Sequence, residues 1–229
     1  MSCDFDFYAD TYDAELRKAT AFAGKDPAVF TEAKASALIR LARAHLSDPT
    51  AAAALDVGCG IGNIHAALEP HFAALHGIDI SLRALDVARS THPRVEYRAY
   101  EGLEFPFEAG TFDFVFAICV LHHVSPKEWR RFVGEMARVA RPGGVVVVVE
   151  HNRLNPLTRL VTLRCPFDEG ITLVPRRRAQ RLLADAGLHE VASDFILFSP
   201  WRGAKIEQVE RRLRRMPLGA QYMTYGRAT

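Results

Sequence analysis

Apolar and polar positions along this chain switch repeatedly between two periods. Val29, Phe30, Ala33, Ala37, Leu38 and Leu41 recur at helical spacing. They give residues 27–46 one apolar face, with Asp26 placed to cap the helix and Pro27 suited to its first turn. An earlier helix is predicted over 8–22. Short, nearly continuous apolar runs then alternate with helical segments. Strands are predicted at 53–57, 75–80, 95–100, 112–119 and 145–150, and helices at 61–68, 81–90 and 126–140. After residue 150, Asn155-Pro156 opens a short helix, and 175–186 forms another that Gly187 stops. Strands at 190–198 and 221–227 follow, joined by a helix near 201–216. Strands apolar on both faces and separated by helices indicate an α/β fold with a parallel sheet covered on both sides.

At 229 residues, 49% of them hydrophobic, the chain suits one domain with appended elements better than two separate cores. A net charge of +2 selects no class of partner. The opening Met1-Ser-Cys-Asp-Phe-Asp has no basic stretch leading into an apolar run, and no apolar run is long enough to span a bilayer, so no membrane insertion is expected. Four scattered cysteines (Cys3, Cys59, Cys119, Cys165) form no CxxC pair, which argues against a disulfide framework or zinc site and for a cytoplasmic protein with reduced thiols. The histidines and acids lack compact ligand spacing, so no metal is expected.

The most informative stretch is Leu55-Asp56-Val57-Gly58-Cys59-Gly60-Ile61-Gly62-Asn63, where a strand meets a helix. Its glycines let the backbone turn tightly and approach a ligand closely. The spacing is GxGxG, unlike the GxGxxG of nicotinamide dehydrogenases, and no Lys-Ser/Thr pair follows to make a phosphate-binding loop. Asp79 ends the second strand, where a carboxylate can accept hydrogen bonds from ribose hydroxyls or cap the helix beginning at Leu82.

These motifs resemble those of the class I S-adenosylmethionine-dependent methyltransferases. The likeness extends through Gly77-Ile78-Asp79-Ile80-Ser81, Glu101-Gly102-Leu103-Glu104-Phe105-Pro106-Phe107, Phe112-Asp113-Phe114-Val115 to His122-His123-Val124, and Arg141-Pro142-Gly143-Gly144. It implies a Rossmann-like three-layer αβα sandwich whose mostly parallel seven-stranded sheet carries a C-terminal antiparallel strand. Residues 1–50 would form a helical lid, 51–151 the cofactor-binding core and 152–229 the substrate-facing part of a single domain. The resemblance places S-adenosylmethionine against Asp56, Gly58, Cys59, Gly60, Gly62, Asp79, Ile80 and Cys119, with Glu101 and Gly102 at the adenine. The family pattern usually has Asp where Glu101 stands and Leu where Phe105 stands. Tyr12, in Phe7-Tyr8-Ala9-Asp10-Thr11-Tyr12-Asp13, either closes over the methionine end as a lid or packs in an amphipathic helix.

Methyl transfer needs an aligned nucleophile and excluded water, and a hydroxyl or ammonium acceptor must also lose a proton. His122, then His151, are the candidate bases at the crevice, with Glu150 beside His151. The competing role for each is structural, packing or capping the sheet edge. The run Glu150-His151-Asn152 with Asn155-Pro156-Leu157-Thr158 and Cys165-Pro166-Phe167-Asp168 resembles a bacterial subgroup of small methyltransferases, often encoded among glycan or natural-product genes. That likeness implies a small-molecule acceptor.

Between residues 201 and 216, six basic residues (Arg202, Lys205, Arg211, Arg212, Arg214, Arg215) face only Glu207 and Glu210, and Arg176 to Arg178 add a second cluster. Either they recognise an anionic acceptor, or they form a solvated face with Ile206, Val209, Leu213 and Met216 packing beneath. A nucleic-acid methyltransferase is the nearest rival. The Asn/Asp-Pro-Pro-aromatic motif expected after the fourth strand is replaced here by Cys119-Val120-Leu121-His122-His123, and no aromatics interleave with basic residues. A non-catalytic binding module and a related alkyl transfer or cyclisation are the remaining alternatives.

Overall fold

The computed structural model describes Lys18, residues 28–101, 103–165, Asp168, residues 170–199 and residues 203–229. Apart from Lys18, the predicted first helix lies outside the described residues, as do Tyr12 and Gly102.

Helix α1 (Ala28–His45) precedes β1 (Ala53–Val57), α2 (His65–Leu68), β2 (Ala74–Asp79), α3 (Leu82–Thr91) and β3 (Glu96–Ala99). Then come β4 (Phe112–Ile118), α4 (Trp129–Val139), β5 (Ala140–His151), α5 (Pro156–Arg164), α6 (Arg176–Asp185), β6 (His189–Ile196), α7 (Ala204–Leu213) and β7 (Gln221–Arg227). The strands form one seven-stranded sheet in the order β3-β2-β1-β4-β5-β7-β6. All pairings from β3 to β5 are parallel, and β7 runs antiparallel to both β5 and β6. The expected Rossmann-like sandwich with a C-terminal antiparallel strand is what forms.

Burial on both faces explains the unbroken valine run. Val146 and Val148 point into a core with Leu55, Val57, Phe132 and Met136. Val145, Val147 and Val149 point the other way, toward Leu38, Leu41, Leu85 and Phe114. All five are fully buried, so alternation moves them between two apolar layers rather than between core and water. The chain reverses its direction of travel across the sheet between β1 and β4. The carboxyl ends of those two strands therefore border a crevice, the usual ligand position in such sheets.

Several boundaries differ from the sequence expectation for identifiable reasons. The helix expected from residue 61 starts only at His65, because Gly58, Gly60 and Gly62 have φ of +73°, +53° and +77°, outside the right-handed helical region. Cys119, expected to end β4, instead leaves the strand with φ of +58°. Ser81 is the N-cap of α3, its side chain accepting from the Ala84 N–H at 3.0 Å. β5 pairs first through Ala140 with Phe112, then bulges over the Arg141–Gly144 turn before regular pairing resumes at Val145. On the basic α7 and the turn after it, Val209 and Met216 are exposed, contrary to the expectation that they pack beneath the charges. Among the described residues, no helix is long and apolar enough to cross a membrane.

Candidate active site

The glycine turn is held from behind. Gly58 and Cys59 N–H both donate to the Ile78 carbonyl, at 2.7 and 3.0 Å, and the Gly60 N–H donates to Asp79 Oδ2 at 2.7 Å. The other oxygen of Asp79 accepts from the Ser81 N–H at 2.9 Å. Asp79 thus joins the turn after β1 to the start of α3. Burial pushes its pKa up, with the Ser81 and Gly60 N–H groups opposing.

The three glycines do different jobs. A β-carbon on Gly58 would meet Val120 Cγ2 at 2.6 Å, so β1 and β4 can approach only through glycine here. One on Gly62 would strike His65 Nδ1, at 2.9 Å, and the Tyr97 hydroxyl. At Gly60 it would meet nothing within 4 Å, which leaves open space directly before the backbone. Ile80, half exposed beside Asp79, supplies an apolar surface at the same edge, and Glu101 is exposed. Open backbone, a carboxylate at the strand end and an apolar shelf fit a ligand with a ribose and a flat base. A Gly60→Ala variant should bind S-adenosylhomocysteine at least about tenfold more weakly by calorimetry, since the new methyl enters that space and disfavours a positive φ.

Asp56 and Cys59 turn elsewhere. Asp56 Oδ2 pairs with His65 Nε2 at 3.0 Å, and His65 Nδ1 lies 2.6 Å from the Tyr97 hydroxyl, a buried chain behind the turn. The Cys59 sulfur packs against β2, where a β-carbon on Gly77 would come within 2.8 Å of it. Nothing in the sequence signalled His65 or Tyr97.

At the ends of β4 and β5 the fold gathers His122, His123, His151, Glu150 and Asp168. The His122 Nδ1–H donates to Glu150 Oε2 at 2.6 Å, and its backbone N–H lies 3.3 Å from Oε1. Ring centroids of His122 lie 4.2 Å from His123 and 5.1 Å from His151. Burial opposes a charge on His122, yet the Glu150 carboxylate and Asp168 hold its pKa well above the ordinary range. Burial and the His122 charge push His123 and His151 down to about 4. Burial raises the Cys119 thiol to about 11, and its sulfur accepts from Gln221 Nε2 at 3.1 Å. Gln221 also lies 3.5 Å from His151 Nδ1. The sequence patterns assign no role to Asp168 or Gln221. Only the position of Asp168 in the Cys-Pro-Phe-Asp run could have drawn attention to it.

The distinctive asparagines serve the scaffold. Asn152 Nδ2 donates to the Pro217 and Gly219 carbonyls, at 3.0 and 2.8 Å, and Asn155 Nδ2 donates to Leu218 O at 2.8 Å. The Thr158 hydroxyl donates to Ala220 O at 2.7 Å. Asn155 also caps α5 by accepting from the Leu157 and Thr158 N–H groups. This clamp turns the threonines of α5 inward and leaves Leu154, Leu157 and Leu163 exposed. The basic residues Arg40, Arg211 and Arg214 line a separate cleft with Asp194 and Glu210, which offset part of their charge.

Residues 55–148 match the family described as "Methyltransferase domain". Norajmaline N-methyltransferase of Rauvolfia serpentina is 33% identical to the chain over 112 residues, 44% of this chain and 37% of that enzyme. The chain therefore spans little more than a third of that relative's length. A SAM-dependent methyltransferase structure from Thermotoga maritima superposes with a TM-score of 0.70 at 18% identity, covering 98% of each chain. Geranyl diphosphate C-methyltransferase from Streptomyces coelicolor, solved with Mg2+, geranyl diphosphate and S-adenosyl-L-homocysteine, gives 0.60 at 19% identity, over 85% of this chain and 79% of that one. Both structures share this chain's fold well beyond residues 55–148.

Proposed function

We propose that the chain transfers a methyl group from S-adenosylmethionine to a small-molecule acceptor seated at the ends of β4 and β5. The observation that carries this reading is the glycine turn, open in front of Gly60 and tied through Asp79 to the next strand. S-adenosylmethionine, when bound, supplies the electrophilic methyl carbon. Asp79 and the turn at residues 58–60 would hold its ribose and methionine part, with Ile80 and Glu101 at the base. The backbone at Cys119 would border its sulfur end, and Tyr12 is proposed as a lid.

The acceptor's nucleophilic atom forms its bond to the methyl carbon as the carbon–sulfur bond breaks, and a hydroxyl or ammonium acceptor releases one proton. His122 is walled in, with Nδ1 committed to Glu150. His151 is partly exposed at the crevice, so the proton passes to its imidazole, ahead of His122 in this role. The exposed leucines of α5 beside Arg153 and Arg159 suit an acceptor with an apolar body and an anionic group.

Two measurements test the reading. S-adenosylhomocysteine should bind with micromolar affinity by calorimetry. Incubation with methyl-labelled S-adenosylmethionine and panels of amine, hydroxyl and carbon acceptors should give a product heavier by one methyl group. A His151→Gln variant should lose about 10²–10⁴-fold in kcat and keep its S-adenosylhomocysteine affinity. Unchanged kcat would remove His151 from the proton-accepting role.

A further inference from the structure

The His122 side of this cluster carries an arrangement that methyl transfer alone does not require. His122, His123 and Asp168 each offer one ligand atom, and the three atoms lie within 4.8 Å of one another. Both imidazoles turn Nε2 toward the same oxygen, Asp168 Oδ1, each at 3.6 Å. That separation is too long for a hydrogen bond. It is close to the roughly 3.4 Å between ligand atoms around a tetrahedral cation with bonds of about 2.1 Å.

A second observation points to the same space. The His122 Nδ1–H is given to Glu150, so a neutral ring carries its lone pair on Nε2, and that buried nitrogen has no hydrogen-bond partner. A carboxylate on the far nitrogen orients an imidazole and strengthens it as a metal ligand. The side chains of His122 and Glu150 are 1% and 0% exposed, whereas His123 is 16% exposed, so the group of ligand atoms is not wholly sealed from solvent.

We propose that His122 Nε2, His123 Nε2 and Asp168 Oδ1 bind one divalent transition-metal ion, with Glu150 as the positioning residue behind His122. Two imidazoles and one carboxylate suit Zn2+, Mn2+ or Fe2+ better than Mg2+ or Ca2+, which prefer oxygen ligands. The cation takes the place of the proton on His122 Nε2. A coordination position left open by the three side chains would let it polarise an acceptor oxygen or nitrogen as a Lewis acid, without any change of oxidation state. That last role rests on the proposed methyl transfer; the binding site itself does not.

The test uses the full chain without a histidine tag, stripped with a chelator, dialysed and titrated with Zn2+ and with Mn2+ by calorimetry. One ion per chain should bind with micromolar or tighter affinity. Glu150→Gln should weaken binding by about 10- to 100-fold, the usual loss for an outer partner. His123→Ala and Asp168→Asn remove ligands outright and should lose more than that outer-partner range. Circular dichroism and S-adenosylhomocysteine binding on the same samples show that each variant is folded. No binding, or equal binding by wild type and both ligand variants, overturns the proposal. Metal binding without S-adenosylhomocysteine binding would instead defeat the methyltransferase reading and leave the site standing.

Discussion

Replacing Asp79 with alanine should cost at least about 100-fold in affinity for S-adenosylhomocysteine. The carboxylate accepts the Gly60 N–H on one oxygen and the Ser81 N–H on the other, at 2.7 and 2.9 Å, and a carboxylate oxygen can accept a second hydrogen bond. Hydrogen bonds to a charged group contribute about 1.5–3 kcal/mol each. Losing two toward the ribose costs about 3–6 kcal/mol, or roughly two to four decades in Kd. The alanine also leaves the Gly60 N–H unpaired, so the turn itself loses its anchor. Asp79→Asn keeps one side-chain acceptor and should fall between wild type and alanine. Calorimetry on the three proteins, each checked by circular dichroism, decides the matter. A Kd within threefold of wild type for the alanine variant would remove Asp79 from the ligand and, with it, the main support for the proposed function.

Much of this architecture was legible because its signals are local. A strand buried on both faces needs only apolar side chains, and Val145 to Val149 announce one without help from tertiary structure. The glycine turn is equally local: three positive-φ residues at alternate positions leave few other conformations. What stayed hidden depends on partners distant in sequence. Asp56 looked free for a ligand, but His65 occupies one of its oxygens, and that pairing requires α2 to fold back under the turn. Asp168 reaches His122 and His123 from the segment between α5 and α6, so ligand spacing along the chain could not show the cluster. Asn152, Asn155 and Thr158 form a motif in sequence, yet the carbonyls they bond belong to residues 217–220, just before β7. Their polarity reads as chemistry until the carbonyls they satisfy are located. The same clamp explains why α5 inverts the ordinary rule, with Thr158 and Thr162 buried and Leu157 and Leu163 outward.

The largest loss of stability is expected from Glu150→Ala. Glu150 is fully buried at the end of β5, and His122 faces it from the turn after β4. Burial opposes the charged form of each, but the pair holds the carboxylate below and the imidazole above their ordinary ranges. Such a pair adds little over a well-packed apolar substitute, because desolvating two charges offsets most of their attraction. Removing one member is different: the buried imidazole of His122 then keeps only Asp168, 3.6 Å away, against its charge, and breaking a buried pair costs about 3–5 kcal/mol. The His122 backbone N–H also loses its acceptor, and a cavity opens beneath the valine layer. For a chain of this size the midpoint should drop by roughly 10 °C, measured by calorimetric melting in chelator to keep metal from intervening. Adding His122→Ala to Glu150→Ala should cost little more than Glu150→Ala alone, since no orphaned imidazolium is left to bury. Additive losses in that double variant would show that the two side chains contribute through packing, and that the buried pair does not hold the ends of β4 and β5 together.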